Sequence, residues 1–303
     1  MIPHLPLTLG PAGAVRALAD ALAAGLDPET QPPRAAVPVP AGELLLMPAA
    51  AGGYAGVKTA GVAPGNPARG LPRITGSYLL LDGPTLQPLA LLDGADLTAL
   101  RTPAVTALAL DRLAAPDARH LVLFGTGPQA YGHLAALLAV RPVDRVTVVG
   151  RRRGFAEELA AHARTLGPTA AVGGPEAVAG ADLVVCCTTA RTPLFDGRLV
   201  PDRAAVAAVG SHEPGAREVD STLVRRSALY VEARAAALRE AGDLLVAFAE
   251  DGPAPLANLS ELVAGGEVVP HDRPRLFKSV GMAWEDLAVA AAQYENATRP
   301  GAT

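Results

Sequence analysis

The sequence predicts an α/β chain, a doubly wound parallel sheet together with a smaller mixed α+β domain, and three observations predict it. Residues 120–137 (HLVLFGTGPQAYGHLAAL) set a compact apolar run ahead of Gly125-Thr126-Gly127 and then small and apolar residues at helical spacing: buried strand, tight turn, helix. A second apolar run, Arg145 to Val149, follows after one helix length and leads into the helical pattern FAEELAAHART. Beyond it ADLVVCCTTARTPLF, AAVAAVGSHEPGAREVD and SALYVEA repeat the buried-strand pattern, the alternation that builds a parallel sheet.

The remaining elements follow in order. Residues 11 to 25 carry apolar positions at helical spacing. Two extended runs, Arg34 to Val39 and Glu43 to Met47, are split by a Pro-Ala-Gly turn. A strand carrying Lys58 leads into a Gly/Pro/Asn-rich loop, another strand begins near Thr75, and PLALLDG closes a meander. Asp96 opens a helix containing Leu97, Leu100 and Arg101, and FKSVGMAWEDLAVAAAQYENA reads as one long amphipathic helix returning to the first domain. The expected domains are residues 1–112 with 288–303, and residues 113–287.

The glycine turn suggests chemistry. Gly125 permits the turn, Gly127 lets backbone approach a pyrophosphate, and the helix start at Pro128 and Gln129 directs N–H groups at its charge, a Rossmann dinucleotide site. Ala130 replaces the usual third glycine. The plain alternative is an ordinary strand-to-helix turn. The second strand ends in Gly150-Arg151-Arg152-Arg153, where an NAD site usually places a carboxylate. Guanidinium groups suit a ribose 2′-phosphate, so NADPH/NADP is expected ahead of NADH, against the alternative of a solvated basic run.

With 303 residues, half of them apolar and 18% charged, the chain supports two domains and is neither disordered nor fibrous. A net charge of −4 argues against a general nucleic-acid partner. The absence of membrane-length apolar runs gives a soluble cytoplasmic protein as the expectation. Cys186 and Cys187 are neighbours on a strand, which favours packing over a disulfide or a metal site. Lys58 and Lys278 are the only two lysines, so each calls for an explanation.

The chain resembles the ornithine cyclodeaminase/mu-crystallin family in PPRAAVPV, LLLMPA, GVKTAG, PARGLP, LLDGADLTALRTPAVTALA, LFGTGPQAYGHL, VGSHEPGAREVD, REAGD and FKSVGMAWEDLA, spread over about residues 31 to 290. The resemblance implies a homodimer built on the first domain and final helix, and NAD(P)-linked chemistry at the Cα–N bond of amino acids. By resemblance Arg34, Lys58 and Arg101 form the substrate-carboxylate and catalytic cluster. Ser77, Thr102, Thr126, Gln129, Arg151, Arg152, Thr188 and Ser279 fall at nucleotide positions, and Glu240 at a substrate-side acid. His212 stands where the cyclodeaminases place an aspartate that activates water, which favours the family's reductases and dehydrogenases.

Each site residue also has a plainer reading. Arg34 and Arg101 can clamp a carboxylate, and Arg101 can equally form a structural ion pair. Lys58, flanked by Gly56 and Ala60 that leave room for a ligand, can polarise or protonate an imine, or merely snorkel from a strand edge. His212, beyond a strand of the parallel sheet, can move a proton or be a loop residue without chemistry. Asp93, Asp96 and Asp220 read as turn or cap residues. The expectation is an NADPH-dependent reductase of amino-acid-derived ketimines. An amino acid dehydrogenase, an ornithine cyclodeaminase and a non-catalytic nucleotide-binding protein are the alternatives.

Overall fold

The computed structural model describes residues 2–265 and 269–299. The chain divides into two compact units, Met1–Thr102 with Met282–Thr303, and Pro103–Gly281.

The first unit opens on α1 (Pro11–Ala23), whose proline occupies a first-turn position that needs no N–H donor. Its buried stripe is Ala14, Val15, Leu18 and Leu22. Five strands follow as an antiparallel meander in chain order: β1 (Ala35–Val39), β2 (Gly42–Ala51), β3 (Tyr54–Val62), β4 (Ile74–Asp82) and β5 (Pro88–Asp93). Their register aligns Met47, Lys58, Tyr78 and Leu92 across four strands, and all four are buried. Because alternate residues face opposite sides of a sheet, Val37, Leu44 and Leu46 share the other face, exposed to 43%, 38% and 36%.

Helix α2 (Gly94–Leu113) begins two residues ahead of Asp96, because the Asp93 carboxylate accepts the N–H groups of Ala95 and Asp96 at 2.8 and 2.9 Å and starts the helix earlier. The division between units falls inside α2 at Pro103, which has no N–H to give to the turn before it.

The second unit is the doubly wound sheet. Its strands are β6 (His120–Phe124), β7 (Arg145–Val149), β8 (Thr169–Val172), β9 (Leu183–Cys186), β10 (Ala205–Ala208), β11 (Ala228–Val231), β12 (Leu256–Asn258) and β13 (Arg275–Lys278). They lie in the order β12-β11-β13-β10-β9-β6-β7-β8, every pairing parallel. Among its helices α3 (Pro128–Val140) follows β6 and α4 (Arg153–Thr165) follows β7, while α5 (Ser221–Arg226), α6 (Arg234–Glu240), α7 (Gly242–Asp251) and α8 (Leu259–Ala264) flank β11 and β12. The order reverses between β6 and β9, the switch point whose strand ends bind ligands in such sheets.

Residues 277–297, expected as one helix, are helical only from Ala283, in α9 (Ala283–Thr298) of the first unit. Phe277 and Lys278 instead complete β13, which fills the sheet between β10 and β11, and Gly281 at φ +77° turns the chain out of it. Helix α9 buries Trp284, Leu287, Val289 and Ala290, and its Gln293 side-chain oxygen accepts the N–H groups of Thr8 and Leu9 at 2.9 and 2.8 Å.

Candidate active site

In the first unit four charged side chains meet in the interior. Lys58 is delivered by β3, Thr98 and Arg101 by one face of α2, and Glu285 and Asp286 by the first turn of α9. Lys58 Nζ donates to Asp286 Oδ1 at 2.9 Å and to Thr98 Oγ1 at 3.1 Å, and lies 2.8 Å from Asp286 Oδ2. Arg101 donates from Nη1 to Glu285 Oε2 at 2.6 Å and from Nε to Asp286 Oδ1 at 3.2 Å. Lys58 is 3% exposed, Arg101 5%, and both acids are fully buried. Two cations and two anions balance, which keeps the cluster tolerable away from water.

Burial lowers the Lys58 pKa to about 8; Asp286 opposes that drop and the Arg101 charge adds to it. At neutral pH the amine is therefore charged yet close to giving up its proton. The Tyr78 hydroxyl, buried without a hydrogen-bond partner among the described residues, is held well above its usual pKa by burial and by the Asp286 charge. A side chain at Gly56 would place its Cβ 2.2 Å from that hydroxyl. The small residue expected to leave room for a ligand thus makes room for Tyr78.

Within the second unit, Gly125 at φ +120° donates its N–H to Val149 O at 3.0 Å, and a Cβ there would sit 2.8 Å from Cys187 O. Only glycine serves this turn. Among the described residues, Gly127 is the N-cap of α3 with no side-chain cap, nothing lies within 4 Å of where its Cβ would be, and Gln129 Oε1 is buried without a partner. Open backbone N–H groups at a helix start, with an orphaned amide oxygen beside them, fit the phosphates and hydroxyls of a dinucleotide. Arg151, Arg152 and Arg153 are exposed after β7; Arg152 stacks 4.2 Å over the Phe155 ring, and Arg153 pairs with Glu157 at 2.7 Å.

The other expected residues are dispersed within their units. Arg34 is half-buried just before β1, and Ser77 lies on the opposite face of the sheet from Lys58, since its neighbour Tyr78 is the residue paired with Lys58. Thr102 is half-buried beside Arg101. In the second unit Thr188 donates both N–H and Oγ1 to Glu218 Oε1 at 2.7 Å, and Ser279 Oγ donates to Glu232 at 2.6 Å. Glu240 ends α6 and accepts from Arg239 at 2.8 Å, and His212 is exposed in the loop after β10.

The sequence model of the ornithine cyclodeaminase/mu-crystallin family matches residues 12–300. The chain belongs to that family. Among family relatives, the Delta(1)-pyrroline-2-carboxylate reductase 2 of Burkholderia ambifaria is 39% identical over 264 residues, 85% of this chain and 82% of that one. The ketimine reductase mu-crystallin of Mus musculus is 35% identical over 271 residues, 88% and 85% of the two chains. A solved family structure, the Thermococcus litoralis Delta(1)-pyrroline-2-carboxylate reductase in complex with NADH and L-proline, superposes with a TM-score of 0.89 at 30% identity over 96% of each chain.

Two groups of buried charges were missed by the sequence reading. Glu285 and Asp286 stand in an apolar helix, WEDLAVAA, where two adjacent acids on a buried turn signal paired cations. Lys278, Asp243 and Glu218 form the second group, and the scarcity of lysine was its signal.

Proposed function

We propose that this protein is an NAD(P)H-dependent reductase of ketimines derived from amino acids, of the pyrroline- and piperideine-2-carboxylate type, and that it prefers NADPH. The observation that carries the reading is the buried Lys58–Asp286–Arg101–Glu285 cluster. The chemistry that a reduced nicotinamide would supply, once bound, is hydride for the imine carbon. Arg34 and Arg101 attract the substrate carboxylate. Lys58, held protonated by Asp286, places a proton donor at the imine nitrogen, which takes up the C=N electron pair as the amine forms. His212 orients or relays a proton at that nitrogen, and Glu240 serves as an acid on the substrate side. Thr126, Gln129, Thr188, Ser279, Ser77 and Thr102 contact the nucleotide, and Arg151 and Arg152 hold its 2′-phosphate. The support for NADPH is the run of exposed guanidinium groups after β7, where Gly150 and Arg151 stand at the strand end in place of a carboxylate. The open apolar face of the five-stranded sheet supports a homodimer of the first unit.

Purified protein with NADPH and each cyclic imine tests the reading by the loss of nucleotide absorbance. Turnover is expected, reduced by about a hundredfold or more in Lys58→Ala. Exchanging Arg151 and Arg152 for alanine raises the NADPH Kd by about tenfold to a hundredfold with little change for NADH. The reading is wrong if neither imine is reduced, if reduction requires a keto acid with ammonia, or if ornithine yields proline without net nucleotide use.

A further inference from the structure

Both lysines of this chain are buried against an aspartate, and the proposed reaction uses only one of them. Lys278, at the end of central strand β13, is fully buried, lies 2.9 Å from the equally buried Asp243, and donates to the carbonyl of Ser211 at 2.6 Å. Asp243 Oδ1 in turn accepts the N–H groups of Glu218 and Val219 at 2.6 and 3.0 Å. Glu218, also fully buried, accepts the Gly210 N–H at 2.7 Å on one oxygen and Thr188 on the other. Two peptides of this loop are thereby gripped, Val209–Gly210 at its N–H and Ser211–His212 at its carbonyl. Ser211 Oγ closes the loop by donating to Ala216 O at 3.0 Å.

Three buried charges are a costly way to pin a loop, because an apolar trio of similar volume would often be as stable. What an apolar trio cannot do is fix peptide groups in one orientation. Close packing adds to the constraint: a Cβ on Gly210 would lie 2.1 Å from Thr188 O, and one on Gly242 would lie 2.2 Å from Ala216 O. We infer that Lys278 is a positioning residue, which through the Ser211 carbonyl and the Asp243–Glu218 acids holds His212 and Thr188 in the arrangement the reaction needs. This rests on the proposed role of His212, and its test separates the two.

The test variant is Lys278→Met/Asp243→Asn, which removes both charges together and keeps an acceptor for the Glu218 and Val219 N–H groups. In the nucleotide-free protein, amide hydrogen exchange at residues 210–212 is expected to speed by tenfold or more, while exchange in β6 and β7 is unchanged. The imidazole resonance of His212, assigned by its loss in His212→Gln, should shift and broaden. In turnover, kcat should fall by about tenfold with little change in KM, and His212→Gln should cost far less in the variant than in the wild type, the non-additivity of coupled residues. Unchanged exchange and resonance, or a His212→Gln that slows the wild type and costs the variant just as much, overturns the positioning role. If His212→Gln is silent in the wild type while exchange in the variant rises, the role of His212 fails and the positioning of the loop stands. Should the double variant not fold, Gly210→Ala displaces the same peptide without altering charge, and the same exchange and resonance measurements decide.

Discussion

Asp286 meets Lys58 and Arg101 at once, and its charge sets how readily Lys58 gives up a proton. Burial pulls the Lys58 pKa down to about 8, Arg101 pulls the same way, and Asp286 with Glu285 pulls back. The Tyr78 hydroxyl faces the same carboxylate and stays neutral. If the protonated amine is the form that reacts, kcat/KM is level below this pKa and declines as pH rises through about 8. Asp286→Asn removes the largest influence that raises the pKa, so the decline should begin at lower pH. The same change leaves two buried cations short of an anion and should cost about 3–5 kcal/mol in denaturant unfolding. A decline that stays near the wild-type pH in the folded variant would show that Asp286 does not tune Lys58.

Helices α2 and α3 are joined by a titratable bond. His133 Nδ1 lies 2.7 Å from Gln129 O in its own helix, and Nε2 lies 3.1 Å from Thr106 Oγ1 of α2. Burial lowers the His133 pKa to about 4 from 6.5. Between those values the unfolded chain binds a proton that the folded one refuses, so stability drops as pH falls through that window. At the acid end His133 contributes a loss of roughly 3 kcal/mol. Urea unfolding at pH 7 and pH 4.5 should show His133→Gln losing less stability on acidification than the wild type, and equal losses would refute it. This contact was not legible in the sequence, which shows only a histidine within a run of small and apolar residues. Legibility followed hydrophobic contrast. The β6 turn and α3 were evident because five buried residues end at glycines, and the meander because its turns are marked by Gly and Pro. Strand β13 was hidden because charged Arg275 and Lys278 bracket it. Both are fully buried, one on backbone carbonyls of Leu113, Asp202 and Arg203 and the other on Asp243. Lys58 and Arg101 could be chosen from residue type and resemblance; their acids could not, because pairing through space leaves no local pattern.

At the scale of the whole molecule, the five-stranded sheet of the first unit leaves one face open. Its cross-strand pairs Val37–Leu44 and Ala35–Leu46 point outward with Val37, Leu44 and Leu46 more than a third exposed. A row of apolar side chains on the open face of a sheet is costly in water and is a mark of association. Edge strand β1 also carries Pro38, which has no N–H to donate to a further strand, so contact through the face is favoured over extension of the sheet. A stable dimer buries about 800 Å² on each partner, and a five-stranded face is large enough to supply it. The proposed homodimer therefore predicts twice the chain mass by light scattering at micromolar concentration. Leu44→Asp with Leu46→Asp should reduce it to the chain mass. Neither side chain is buried within the chain, so melting of the second unit should change little, whereas the first unit loses whatever stability its partner lends. A wild-type protein that runs as a single chain, or a folded double variant that remains paired, would show that this face is not the interface.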